Sequence, residues 1–304
     1  MSEAPAKRAP IDPDAARRIA ALTLEVRRAA LGLASGKHRS PHRGASVVFV
    51  EHREYRPGDD PRLIDWRAYA RNDRHAIKRF EQEAQLGCTL LLDASRSMDF
   101  AGSGPRTKLE HAAGLLAGIA LVLRKQSDAV GLVRFAREVD HPLKARSSVA
   151  HVDRVLAALG LPPSAEAGTD VHGALEVAVD RAGRRGLVVI ASDFLDPDPD
   201  ALAPISQLVA RGHEVWMLHV LTRDELELRA EGAARYVGLE GEPSIEADPE
   251  MARAAYRREV DAFVARTRAE ATTRGARVRL APTDEALEVP LADLLLRGRR
   301  SRWA

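Results

Sequence analysis

Two short aliphatic runs, each ending in a carboxylate, constrain this chain more than any other feature. Thr89-Leu90-Leu91-Leu92 leads into Asp93, and Leu187-Val188-Val189-Ile190 leads through Ala191-Ser192 into Asp193. A strand that is apolar at every position has both faces covered, as in a parallel sheet held between helices. The flanking segments fit that picture. Leu109, Ala113, Leu116, Ala120 and Leu123 recur at helical spacing, as do Val171, Leu175, Val179 and Ala182. Helices are also predicted over Val149–Leu159 and from Asp198-Pro199 to near Gly212, and strands over Ala129–Phe135, Glu214–Val220 and Arg277–Leu280. Repeated alternation of strand and helix predicts a doubly wound, mostly parallel, Rossmann-like α/β sheet.

Two stretches interrupt the alternation. Arg235–Leu239 and Pro243–Glu246 flank Glu240-Gly241-Glu242 and read as a hairpin inserted near 234–247. Asp248-Pro249-Glu250 then caps a long helix with Tyr256, Val260, Phe263 and Thr267 on one face, and a short helix over Ala286–Leu296 ends the chain. The first 85 residues read differently. Residues 1–11 are expected to be a disordered leader, and Asp12-Pro13 opens a helix carrying Ile19, Leu22, Val26, Ala30 and Leu33 on one face. Residues 36–44 form a basic loop, Val47–Val50 a short strand, and His75–Glu83 a weak one. The charge-dense collar between them, with Asp59, Asp60, Arg62, Asp65 and Arg71, either pairs within itself or belongs to a partner surface; Trp66 and Tyr69 are expected to anchor it. The expected layout is therefore 1–11 leader, 12–85 helix and collar, and 86–304 α/β domain.

Lysine and arginine number 46 against 44 acidic residues, too even a balance to suggest nucleic acid. The clusters at Lys37, His38, Arg39, His42 and Arg43, and at Arg297, Arg299, Arg300 and Arg302, read as solvated runs. The single cysteine, Cys88, opens an apolar run and is expected in the core, so the chain suits a reducing compartment. No signal-like leader and no apolar run of membrane length is present, and a cytoplasmic location is expected. Neither a P-loop, a Gly-x-Gly-x-x-Gly fingerprint nor a Gly-x-Ser-x-Gly elbow occurs, and no catalytic or nucleotide-binding residue is expected.

Chemistry concentrates where the aliphatic runs end. Ligands of open α/β sheets bind beyond the carboxyl ends of the strands. Asp93, Ser95 and Ser97 occupy that position after one strand, and Asp193 after another; Thr169 begins the helix that runs to Ala182. Two carboxylates and three hydroxyls are oxygen donors only, a set suited to Mg²⁺ or Mn²⁺. Read singly, the same residues also suit turn and helix-cap chemistry. His172 lies either on the rim of such a site or on an ordinary helix surface, and His111, His213 and His219 are expected to be structural.

Asp-x-Ser-x-Ser at a strand end, a later Thr and a later strand-end Asp resemble the metal-ion-dependent adhesion site of von Willebrand factor A domains. The match falls on Asp93, Ser95, Ser97, Thr169 and Asp193. The resemblance implies a metal held by Ser, Ser and Thr hydroxyls with water-bridged Asp, and a partner that completes the shell with an acidic residue. The run from Gly44 through Val47-Val48-Phe49, His52-Arg53-Glu54-Tyr55, Pro57-Gly58-Asp59-Asp60, Arg62, Ile64-Asp65-Trp66, Ala70-Arg71 and Glu83 resembles the bacterial family called domain of unknown function 58. That resemblance implies a non-enzymatic protein-binding module working with a MoxR-type AAA+ ATPase. The alternative is a Mg²⁺-dependent phosphoesterase or nuclease using Asp93, Asp193 and Asp65, and a third reading is an adaptor with no metal.

Overall fold

The computed structural model describes residues 86–297 apart from 166–167, 184, 197, 230–233 and 240–243, together with 11–14, 16, 47–54, 69 and 76–82. The chain divides into two compact units, Leu33–Gln85 and Met1–Gly32 with Leu86–Ala304. In the smaller unit, strands β1 (Val47–Glu54) and β2 (Ala76–Gln82) pair antiparallel, with an irregularity between Phe49 and Glu51. In the larger one, the main-chain N–H of Ala16 donates to the Asp12 carbonyl at 2.9 Å, the helix start expected of Asp-Pro. Residues 1–10, the helix beyond Ala16 and most of the collar, including Asp59, Asp60, Arg62, Asp65, Trp66 and Arg71, lie outside the described residues.

The larger unit is built on six strands. These are β3 (Gly87–Asp93), β4 (Ala129–Phe135), β5 (Val139–Arg146), β6 (Gly186–Ser192), β7 (Glu214–Leu221) and, after the short pair β8 (Ala234–Tyr236) and β9 (Ile245–Ala247), β10 (Arg277–Pro282). Their spatial order is β10-β7-β6-β3-β4-β5, parallel throughout except for β5, which runs antiparallel to β4. The aliphatic runs occupy the middle, where Leu91 sits between Val133 and Ile190. Helices cover both faces, as the unbroken apolar strands require. Helices α1 (Lys108–Lys125) and α2 (Val149–Leu159) bury one face, against Leu90, Leu92, Val189 and Leu218. Helices α3 (Val171–Arg181) and α4 (Pro204–Ala210) bury the other, against Leu91, Val188, Ile190 and Met217. After β7 come the one-turn α5 (Arg223–Glu227), the β8–β9 pair and α6 (Pro249–Thr273); α7 (Glu288–Arg297) follows β10. Cys88 is buried in the core, and burial pushes its thiol well above the ordinary range.

The chain leaves β3 toward β4 and returns on β3's other side as β6. The order therefore reverses between β3 and β6, the crevice where ligands of such sheets bind. Asp93 and Asp193 mark its two sides.

Several elements differ from expectation for identifiable reasons. Strand β5, Val-Asp-His-Pro-Leu-Lys-Ala-Arg, carries too little apolar periodicity to be read; it is an edge strand, where Pro142 is tolerated. Helix α5 is too short to show a period and rests on a capping box between Thr222 and Glu225. Helix α4 starts at Pro204 rather than Asp198. The Asp196 and Asp198 carboxylates accept the main-chain N–H groups of Asp198 and Asp200 at 2.8 and 2.9 Å, which holds that stretch in turns. In the hairpin, Tyr236 pairs with Ile245, so the strands are shorter than expected and the connection longer.

The register also sets a steric test. Gly186 lies opposite Gly87, and a Cβ at Gly186 collides with the Gly87 carbonyl, whereas a Cβ at Gly87 meets nothing within 4 Å. Gly186→Ala is expected to lower stability by about 1–3 kcal/mol. Gly87→Ala is expected to stay within about 0.5 kcal/mol. Urea unfolding midpoints of the two variants check the asymmetry.

Candidate functional site

The Asp93 carboxylate has no exposed surface, so it needs polar partners where it sits. The main-chain N–H of Ser95 donates to its Oδ1 at 2.9 Å, closing the turn after β3. The Ser192 hydroxyl, at the end of β6, donates to Oδ2 at 2.6 Å. The Thr169 hydroxyl donates to the same oxygen at 3.2 Å. One carboxylate therefore ties together three segments of the switch-point crevice. Burial and the neighbouring Asp193 push the Asp93 carboxyl up to about 6, against the opposing pull of these hydrogen bonds.

Asp193 forms the second side. The Ser97 hydroxyl donates to its Oδ2 at 2.8 Å, and the Leu195 N–H to its Oδ1 at 3.2 Å. The Ser95 and Ser97 hydroxyl oxygens are 3.1 Å apart. Main-chain turns fix this edge: a 3-10 turn over Arg96–Asp99 follows Ser95, and Phe194 takes a positive φ of 54° just after Asp193.

The feature that sequence reasoning missed is Lys108. It is 1% exposed, and its ammonium donates to Asp193 Oδ2 at 2.7 Å and to Glu225 Oε1 at 2.5 Å. Burial disfavours the charge, but Asp193 and Glu225 outweigh it and raise the ammonium above its usual range. Burial likewise favours a neutral Asp193, yet Lys108, with the Leu195 and Ser97 donors, holds that carboxyl below the usual range. Glu225 is itself fixed, since its Oε2 accepts from the Thr222 N–H and hydroxyl at 2.7 and 2.9 Å. A signal for Lys108 did exist: it is the first residue of α1, the end of a helix that disfavours a cation.

The five residues singled out from the sequence, Asp93, Ser95, Ser97, Thr169 and Asp193, are linked in one hydrogen-bonded group. Thr169 is not the cap of α3. Asp170 is, accepting from the Gly173 N–H at 2.7 Å, and this leaves the Thr169 hydroxyl free to turn to Asp93. His172 belongs to the helix surface, its Nδ1 3.0 Å from the Asp200 carbonyl. His219 packs edge-on between Phe194 and Phe263, and burial lowers it to about 4. Asp65, the third carboxylate of the hydrolytic alternative, lies outside the described residues. Among the described residues, no group of three or more His, Cys, Asp or Glu is placed to hold a metal ion.

Removing Lys108 strands two carboxylates. Lys108→Met is expected to cost about 3–5 kcal/mol, as for other buried pairs broken on one side. Adding Asp193→Asn to that variant is expected to restore part of the loss. Chemical denaturation of the single and double variants measures both effects.

Comparison with known proteins places the chain in a family. The model of the family described as "Protein of unknown function DUF58" matches residues 51–270. Uncharacterized proteins of Mycobacterium bovis and Mycobacterium tuberculosis are 31% identical over 221 residues, covering 71% of this chain and 68% of theirs. Among solved structures, BatB from Bacteroides thetaiotaomicron aligns with a TM-score of 0.46 at 17% identity, covering 70% of this chain and 98% of that one. The VWA domain of SpRpn10 aligns at 0.40 and 10%, covering 69% and 95%. No helix among the described residues is long and apolar enough to cross a membrane. On the match over residues 51–270 and the mycobacterial relatives, the chain belongs to the DUF58 family.

Proposed function

We propose that this chain is a protein-interaction module whose docking edge holds one divalent cation, Mg²⁺ or Mn²⁺, and that it acts as an adaptor for a MoxR-type AAA+ ATPase rather than as an enzyme. Ser95, Ser97 and Thr169 would supply hydroxyl ligands. Asp93 and Asp193 would act through water.

The observation that carries this reading is the pair of hydroxyls on Ser95 and Ser97, 3.1 Å apart and backed by carboxylates that already have hydrogen-bond donors. Adjacent ligands of an octahedral ion at about 2.0–2.1 Å stand about 3 Å apart, so that spacing suits two neighbouring ligand positions. Both Asp193 oxygens accept protein donors, which suits an outer role better than direct ligation. The charge balance agrees. Lys108 offsets one unit of the negative charge of Asp93 and Asp193, so a divalent ion would remain under-neutralised there. An ion in that state, once bound, attracts a carboxylate from outside. In this reading the chain's residues hold and orient the ion.

Two measurements test the proposal. Mn²⁺ titration followed by electron paramagnetic resonance is expected to find one site, weakened about ten- to hundredfold by Thr169→Ala. Binding to a purified MoxR-type ATPase from the same genome is expected to strengthen with Mg²⁺, and Asp93→Ala or Thr169→Ala to abolish the gain. Binding that ignores both substitutions and EDTA overturns the proposal. Phosphodiester turnover that vanishes in Asp93→Ala favours the hydrolytic alternative instead.

A further inference from the structure

A cavity of about 450 Å³ opens at Glu225, the second carboxylate that Lys108 bonds. Its lining combines three aromatic side chains, Phe100, Tyr236 and Tyr256, with the carboxylates of Asp224 and Glu225. We propose that this cavity is a binding site for a cationic side chain, arginine or lysine, presented by a partner protein.

The lining suits that chemistry piece by piece. Aromatic faces attract cations and also pack the alkyl shaft behind the charged head. The charges on the wall do not cancel completely. Glu225 shares Lys108 with Asp193, and Arg229, the cation of the lining, is matched by Glu227 at 2.7 Å. Asp224 makes no ion pair among the described residues. Among the described residues its oxygens accept from Ser103, through the main-chain N–H and, at 2.9 Å, the hydroxyl. The unmatched charge of the lining is therefore negative. It is also built in, because Gly102 has a φ of 57° and any Cβ there would collide with the Asp224 carboxylate. The Tyr256 hydroxyl donates to the Glu225 carbonyl at 2.8 Å and fixes the wall between α5 and α6. The Tyr236 hydroxyl is shielded from water and has no hydrogen-bond partner among the described residues.

The place of the cavity gives it a use. Lys108 bonds Asp193 on one side and Glu225 on the other, so this buried residue links Glu225 of the cavity wall to Asp193 of the hydroxyl edge. A segment that sets a carboxylate on the Ser95–Ser97 edge can seat a nearby basic residue here. That pairing rests on the proposed function, whereas binding of a cation in the cavity does not.

The test uses the whole chain and two probes of similar length, N-acetyl-arginine methylamide and N-acetyl-norleucine methylamide, titrated separately by two-dimensional NMR in EDTA and again in Mg²⁺. Arginine is expected to give saturable shifts at the amides of residues 224–229 and 236 in both buffers, with norleucine about fivefold weaker or more. Asp224→Asn and Tyr236→Leu are each expected to weaken arginine by about the same factor. Norleucine binding as tightly as arginine, or no saturable arginine shift at these amides, overturns the proposal. Because the EDTA arm needs no metal, failure of the metal reading leaves this result standing.

Discussion

A carboxylate with no exposed surface has to be satisfied from within, and around Asp93 that requirement organises the crevice. Its donors come from the turn after β3, the end of β6 and the loop before α3. None of these segments is near another in sequence, since Thr169 is 76 residues from Asp93 and Ser192 is 99. The sheet makes their meeting possible, because the strand order reverses between β3 and β6 and leaves both strand ends open on one side. The fully apolar strands that enforce two-sided burial thus also place the polar site at their ends.

Charge is the second constraint. Asp93 and Asp193 are both buried and close to one another, and two close carboxylates resist ionising together. Lys108 resolves this asymmetrically. It holds Asp193 ionised, while Asp93 is left to burial and its hydroxyl donors and is pushed up to about 6. The same ammonium reaches Glu225, which the Thr222 capping box fixes at the start of α5. A single buried cation therefore links Asp193 of the hydroxyl edge to Glu225 of the aromatic-lined cavity.

The sequence made the architecture legible because the central strands carry a signal that survives without partners: unbroken aliphatic runs bounded by polar turns. The α2 bounds, Val149–Leu159, are those expected from its apolar spacing. Asp93, Ser95, Ser97, Thr169 and Asp193 were legible because each sits at an element end, where polar residues stand out. Strand β5 was not, since an edge strand with Pro142 and alternating charge resembles a loop until β4 is beside it. Ser192 was hidden inside its own strand, and its role depends on Asp93 across the sheet. Lys108 carries no motif of its own in the sequence. Only the fold reveals that it is buried against two carboxylates from distant segments.

The central claim is that the Ser95–Ser97 edge, with Thr169 beside it, is a cation site. Diffraction from crystals grown in Mn²⁺, recorded at the manganese absorption edge, addresses it directly. The expected result is one anomalous peak within bonding distance of the Ser95, Ser97 and Thr169 hydroxyl oxygens, with Lys108 still on Asp193. Clear density for those side chains with no anomalous peak between them would contradict it.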